Sequence, residues 1–274
     1  MRRRCLVTVP MLGTIPDAFS PVNCVLAQSK YADLVVVDNG GGYRARGREE
    51  VVNVGNNIGW AAASNLGFRL AFARGYTHAV TLNSDTRLSP DFFHGLLDAR
   101  LPLDMGMVGP MYDEDGINNG WKTQSSNHRS HASRYTPSPY VRRVQALDGT
   151  CLCIPRHAWE RVGCLDERSF GRFSWGADID LAIRMQTAGF GVYVTEMSFM
   201  NHYGRLSATK LVGERAYVKR ANRDLHAGMR KLHGRKAYRR AKGSGYTRMR
   251  LPQGDAHADS PSTGPQSLLD RNEE

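Results

Sequence analysis

The chain has 274 residues, 41% of them hydrophobic, and carries 37 Lys/Arg against 26 Asp/Glu, a formal net charge of +11. This is enough for one large α/β domain with a substantial core, and no run approaches the roughly 18–20 consecutive apolar residues of a membrane span. The charge is uneven: 15 Lys/Arg and two acids fall between Arg205 and Arg250, a basic segment on a near-neutral body that suits either contact with polyanions or a solvated helix face.

The start, Met1 to Leu12, imitates an export signal. However, its apolar run is short, contains Pro10 and meets no small-residue cleavage site, so it predicts a first strand over Leu6–Val9. The five cysteines are then expected as reduced thiols in a cytosolic protein, with Cys151 and Cys153 packing along a strand rather than binding metal. A helix is predicted over Pro16–Ser29, with Pro21 in or near its first turn. Asp33–Asp38 is a continuous apolar run, the pattern of a strand covered on both faces, and it ends at the turn Asn39-Gly-Gly-Gly42. A third strand follows at Val51–Val54, a helix over Trp60–Arg74 stopped by Gly75, a fourth strand at His78–Leu82 and a helix over Pro90–Ala99. This alternation predicts a mainly parallel sheet flanked by helices, with ligands at the carboxyl ends of its strands, where Asp38 and Asn83-Ser-Asp85 fall.

Met111–Val144 is polar and aperiodic and reads as a long surface loop; Asp113–Gly116 does not fit a calcium loop. Val144–Ile154 reads as a strand, Pro155–Val162 as a short helix, Asp178–Ala188 as a helix closed by Gly189, and Phe199–Met200 as part of a strand. Leu211, Val218, Leu225 and Leu232 recur every seven residues along a basic amphipathic helix reaching about Arg240. Beyond Ala241 the composition turns to Gly, Ser, Pro and charge, predicting one domain over residues 1–240 and a disordered tail over 241–274.

Several residues could carry chemistry, each with a structural counterpart. Asn83 and Asp85 alternate at a strand end and can face one divalent ion on a diphosphate, or cap the next turn. Asp178 and Asp180 open a helix, as caps or, for one of them, as a positioned base, with Trp175 offering an apolar surface to a sugar ring. His202 follows a strand, as a metal ligand or a structural histidine.

The order and spacing of these pieces resemble the family-2 glycosyltransferases of GT-A fold, especially rhamnosyl- and galactofuranosyltransferase-like members. The matching segments are Val35-Val-Val-Asp38-Asn39, Asn57-Ile-Gly59-Trp-Ala-Ala-Ala-Ser-Asn65, Leu82-Asn-Ser-Asp85-Thr86, Pro90-Asp91-Phe92, Asp148-Gly149, Val162-Gly-Cys-Leu-Asp166-Glu167, Trp175-Gly-Ala-Asp178-Ile-Asp180-Leu-Ala-Ile-Arg184, Gly189-Phe190 and His202-Tyr-Gly-Arg-Leu-Ser207. Together they span about residues 4–235.

The resemblance implies a metal-dependent, inverting transfer of a hexosyl or deoxyhexosyl unit from a nucleoside-diphosphate sugar, UDP- or dTDP-linked, to a glycan, lipid-linked glycan or protein hydroxyl. It implies Asp178 as base, Asp85 and His202 at Mn²⁺ or Mg²⁺, and Thr8, Asp38, Asn57, Gly59, Asn65 and Asn83 at the donor. Trp175 and Asp148 would lie at the acceptor, and Asp180 and Arg184 would support the base's helix. Asn83 stands where the family's metal motif has its first acid, and Ala177 where Glu often precedes the base. Arg220, Asn222 and Arg223 resemble a segment near the diphosphate, interrupted at Ala221. The basic helix implies possible peripheral contact with the inner membrane face, and nucleic acid is disfavoured because aromatic residues do not interleave its charges.

Overall fold

A computed structural model describes residues 4–13, 20–113, 123–203, 213–243 and 245–253. In its first half β1 (Cys5–Met11), α1 (Val22–Ala27), β2 (Ala32–Asp38), β3 (Glu50–Asn53), α2 (Trp60–Ala73) and β4 (His78–Leu82) follow in the predicted order. β1 pairs in parallel with β2 and β4, and β2 with β3. Val35, Val36 and Val37 are fully buried, as a strand covered on both faces requires. α2 lies directly on β1 because Gly67 has no side chain: a Cβ there would stand 1.7 Å from Thr8 Oγ1.

The second half contains β5 (Thr86–Leu88), α3 (Phe92–Leu96), β6 (Met105–Tyr112), β7 (Tyr140–Arg143), β8 (Cys151–Pro155) and α4 (Arg156–Val162). It ends with α5 (Ala177–Thr187), β9 (Gly191–His202), α6 (Glu214–His233), α7 (Ala237–Gly243) and β10 (Thr247–Arg250). One ten-stranded sheet runs β10-β7-β9-β6-β8-β4-β1-β2-β3, with β5 on β9. The parallel expectation holds through β3-β2-β1-β4. Beyond β4 the sheet is mixed, with β8 antiparallel to both β4 and β6, and β6 parallel to β9. Cys5, Cys151 and Cys153 pack in the core.

Several expectations change. The polar stretch Met111–Val144 contains the end of β6, a 3-10 turn at Ala132–Arg134 and β7. β6 is fully buried yet escapes propensity reading because Gly106, Gly109 and Pro110 interrupt it. These small residues admit neighbours: a Cβ on Gly106 would stand 2.5 Å from Phe190 Cβ. The strand expected over Val144–Ile154 begins only at Cys151, and the residues before it form a turn in the candidate site. The basic helix breaks at Gly234, whose φ of 83° is a left-handed stop.

The expected tail also moves. β10 lies beyond Ala241 and pairs antiparallel with β7. Two charge-assisted contacts hold it: Arg248 Nε and Nη2 lie 2.9 Å from Glu196 Oε1 and Oε2, and Glu196 also takes Arg142 Nε of β7 at 2.8 Å. A four-residue edge strand rich in arginine carries no apolar signature, so composition alone placed it outside the domain. The start of the helix predicted at Pro16, the acidic loop from residue 114, Arg205–Ser207, Leu211 and the tail from residue 254 lie outside the described residues.

Candidate active site

The site assembles where β2, β4, β6 and β9 end. At the end of β2, Asp38 is buried, and its carboxylate organises the glycine turn. Oδ1 accepts the Gly40 and Gly41 N–H groups at 3.2 and 2.9 Å, and Oδ2 accepts that of Tyr43 at 3.0 Å. Asn57 Oδ1 accepts the Gly59 N–H at 2.9 Å, and Gly59, at φ 91°, starts α2.

Two residues expected at the donor are fully buried behind the strand ends. Thr8 sits in the middle of β1, paired with Val35 and Thr81, and is fully buried under Gly67. The end of β1 is Met11, because the strand runs two residues beyond the predicted Val9. Asn65 is also fully buried; its amide donates to the Leu165 carbonyl at 2.9 Å and to Glu167 Oε1 at 2.7 Å, while its oxygen accepts the Leu165 N–H at 2.9 Å. It fastens the loop before α5 to α2, so it shapes the pocket from behind.

The structure brings Asp85 and His202 together. β5 follows Asp85 and pairs Thr86 with His202 on β9, so two strand ends set His202 Nε2 3.6 Å from Asp85 Oδ1. That separation exceeds a hydrogen bond. Neither ring nitrogen of His202 has a hydrogen-bond partner among the described residues, although both are buried. An unpaired buried polar group costs about 1–3 kcal/mol, whereas a divalent cation accepts one carboxylate oxygen and one imidazole nitrogen at about 2.0–2.3 Å each. The donor set therefore fits such an ion. Among the described residues no group of three or more His, Cys, Asp or Glu stands close enough together to hold such an ion. Burial works against a charged His202, but the Asp85 carboxylate, with Asp148 and Asp113 behind it, holds its pKa above the usual value.

Asn83 extends from the end of β4 and its N–H donates to the Thr150 carbonyl at 2.9 Å, which fixes the 148–150 turn beside the Asp85–His202 pair. Asp148 Oδ1 accepts the Thr150 N–H at 2.9 Å and also the Thr150 hydroxyl. Gly149 then donates its N–H to Asp178 Oδ2 at 2.8 Å. A side chain at Gly149 would stand 2.9 Å from the Trp60 ring, so glycine is what lets the turn pass that ring. Asp178 Oδ1 accepts its neighbour's N–H, that of Ile179, at 2.9 Å. Burial, reinforced by the Asp148 carboxylate and only partly opposed by these N–H donors, pushes Asp178 up to about 7. A carboxylate poised there can take a proton near neutrality.

Asp180, two residues on, turns away from Asp178. It pairs with Arg184, whose Nε lies 2.9 Å from its Oδ2, and with His233 Nε2 at 2.7 Å from its Oδ1. Arg184 continues to the Val162 and Cys164 carbonyls at 2.9 and 2.7 Å, so this network anchors α5 as expected and adds the end of α6. Trp175 donates its indole N–H to the Tyr217 hydroxyl at 2.8 Å. The charges of Arg220 and Arg223 meet Asp224, at 4.0 and 3.0 Å.

Three residues had no role in the sequence reading. Gln124 is fully buried; its Oε1 accepts the Asp148 N–H at 2.6 Å and its Nε2 donates to the Pro110 carbonyl at 3.4 Å. Asp113 accepts the His202 backbone N–H at 3.0 Å and Asn201 Nδ2 at 2.8 Å. Tyr112, paired with Met200, keeps a buried hydroxyl without a partner among the described residues. Gln124 and Asp113 lie in the stretch read as aperiodic loop, and Tyr112 ends the unrecognised strand. Only folding onto β9 gives them company.

The family model described as glycosyl transferase family group 2 matches residues 78–249, which includes β4, the 148–150 turn, α5, β9 and all but the last residue of β10. The chain belongs to this family. This glycosyltransferase also resembles uncharacterised proteins of Mycobacterium bovis and Mycobacterium tuberculosis, each 42% identical over 229 residues, covering 84% of this chain and 85% of theirs. Among solved structures it is similar to GalNAc-T7 with UDP, GalNAc and Mn²⁺, with a TM-score of 0.56 and 13% identity, over 73% of this chain and 44% of that one. It is likewise similar to the mannosyltransferase PcManGT of Pyrobaculum calidifontis in complex with GDP-Man and Mn²⁺, with a TM-score of 0.54 and 17% identity, over 84% and 64%. At these identities the likeness establishes the GT-A fold of this glycosyltransferase; its length is only part of each neighbour's.

Proposed function

We propose that this glycosyltransferase moves a sugar from a nucleoside-diphosphate sugar to an acceptor hydroxyl with inversion at the anomeric carbon, Asp178 serving as base. The observation that carries the reading is the shared 148–150 turn: it contacts Asn83 before the Asp85–His202 pair and donates to Asp178. One turn thus links a cation-binding pair to a carboxyl pushed up to about 7. The complexes of both structural neighbours, which hold nucleotide or nucleotide sugar with Mn²⁺, support the donor class.

Asp85 Oδ1 and His202 Nε2 would hold Mn²⁺ or Mg²⁺, which when bound neutralises charge on a diphosphate leaving group. Asp38 acts on the donor through the glycine turn that it organises, and Asn57 and Gly59 set the start of α2 beside it. Asp178 accepts the acceptor's hydroxyl proton. The freed oxygen bonds to the anomeric carbon as the bond to the diphosphate oxygen breaks, and the nucleoside diphosphate leaves with the electron pair. A single displacement with one base inverts the centre, so an α-linked donor yields a β product. Asp148 and Trp175 border the acceptor side, and the Asp180–Arg184–His233 network keeps the helix of the base in place.

The test is a screen of UDP-, dTDP- and GDP-sugars for hydrolysis with Mn²⁺, with Mg²⁺ and with chelator, followed by NMR of the first sugar product. Cation-dependent donor hydrolysis that is lost in Asp85→Ala supports the reading. Donor turnover unaffected by chelator, or retention of configuration, overturns it.

A further inference from the structure

The outer face of α6 and α7 carries a charge for which the site has no use. From Arg215 to Arg240 the two helices hold ten Lys/Arg against one acid, Asp224, and all ten cations are exposed. The opposite face of α6 is fully committed to the domain: Tyr217, Ala221, Leu225 and Met229 are buried at helical spacing. Gly228 brings the helix close, since a Cβ there would stand 2.6 Å from the Phe170 ring. α6 therefore cannot roll to hide its charges; packing fixes which side faces outward.

The two helices form one surface. After the Gly234 turn, α7 returns against α6, with the Tyr238 and His226 rings 5.1 Å apart. Leu232, 39% exposed, continues the inward stripe of Leu225 and Met229 and lines a pocket with Leu165, Asp180 and Arg184, so the outer face is cationic throughout. We propose that this face docks on an anionic lipid bilayer. A broad cationic face with ten exposed Lys/Arg matches the phosphate headgroups of an anionic leaflet. A single-stranded nucleic acid would call for aromatic platforms between the cations, and here Tyr238 is already stacked edge-on against His226. On the buried face, Tyr217 in the first turn of α6 receives the hydrogen bond from Trp175, so the start of the helix is tied to the segment before α5.

Truncation is unsuitable as a test, since it would remove β10 from the sheet. The experiment instead uses the full chain and the five-fold variant Arg230→Gln, Lys231→Gln, Arg235→Gln, Lys236→Gln and Arg239→Gln; glutamine keeps helix propensity. Flotation is measured with phosphatidylcholine vesicles, with and without phosphatidylglycerol, at low and high salt, beside binding of a fluorescent oligonucleotide. The wild type should float only with anionic vesicles and lose binding as salt rises. The variant should partition at least about 100-fold less, since each cation near an anionic leaflet contributes about fivefold, with an unchanged melting temperature and unchanged donor hydrolysis in solution. Equal flotation of the two proteins, binding to neutral vesicles alone, or tight oligonucleotide binding without flotation would each overturn the proposal. Donor hydrolysis is read separately, so failure here is distinct from failure of the proposed reaction.

Discussion

The Gly149 N–H donates to Asp178 Oδ2 at 2.8 Å, and this bond joins two segments 29 residues apart. It is made to the ionised carboxylate, yet burial and Asp148 oppose that ionised form, and the balance lies at about 7. The sign of the pH response follows. The folded-state pKa is raised above the unfolded value of about 3.9, so the stability from this group is complete below about pH 4 and is lost as pH rises through about 7. In the proposed reaction Asp178 becomes competent as base over the same upper range. kcat/KM is expected to rise through about pH 7 in the wild type.

Asp178→Asn should keep donor binding and lower kcat by about 10²-fold or more, the range for losing a general base. The rise in kcat/KM near pH 7 should vanish with it. Single-turnover rates across pH, with donor affinity from calorimetry, check both. Transfer at wild-type rates would reduce Asp178 to a helix cap.

Mn²⁺ should raise the melting temperature of the wild type, because a ligand that binds only the folded state stabilises it by mass action. The shift should disappear in Asp85→Ala and in His202→Ala. Scanning calorimetry with and without Mn²⁺ measures it, and a shift that persists in both variants would remove the pair from the metal site.

Gln124→Leu should cost about 1–3 kcal/mol of stability, since the Asp148 N–H loses its buried partner. It should also lower kcat more than it changes donor KM, because the 148–150 turn positions Asp178. Urea unfolding alongside steady-state kinetics separates the two effects. Full activity at reduced stability would make Gln124 purely structural.

Glu196 predicts acid sensitivity at the sheet edge. Burial pushes its pKa up, but the hydrogen bonds from Arg248 and Arg142 prevail and hold it below the usual carboxylate value. A depressed folded pKa gives stability that is present above the unfolded value of about 4.3 and is lost as pH falls through the folded one. Amide exchange of Thr247–Arg250 should therefore accelerate below about pH 4, before the β1–β2–β4 core loosens. Glu196→Gln should show the same fast exchange already at neutral pH. Uniform protection of β10 at low pH would contradict this.

Gly67→Ala should destabilise by about 1–3 kcal/mol, the usual cost of overpacking, because its Cβ would overlap Thr8 in the middle of β1. A melting temperature equal to wild type would mean that α2 moves off the sheet without cost.

Local sequence determined much of the site. Apolar runs ending in Asp38 and in Asn83-Ser-Asp85 marked two strand ends, and the helix opening at Asp178 was legible because its start is a local property of the chain. Where the signal was local but faint, boundaries slipped: β1 runs on to Met11, which moved Thr8 from an expected strand end into the core. Pairing partners were not legible. β6 hides its strand character behind two glycines and a proline that make sense only against Phe190 and Gln124, and β10 looks like tail until Glu196 supplies the opposite charge. Asp85 and His202 lie 117 positions apart in sequence, and the register of β5 on β9 is what sets them 3.6 Å from each other. Periodicity reports the environment of one element at a time, whereas distances between elements arise from burial and hydrogen bonding shared across the whole sheet.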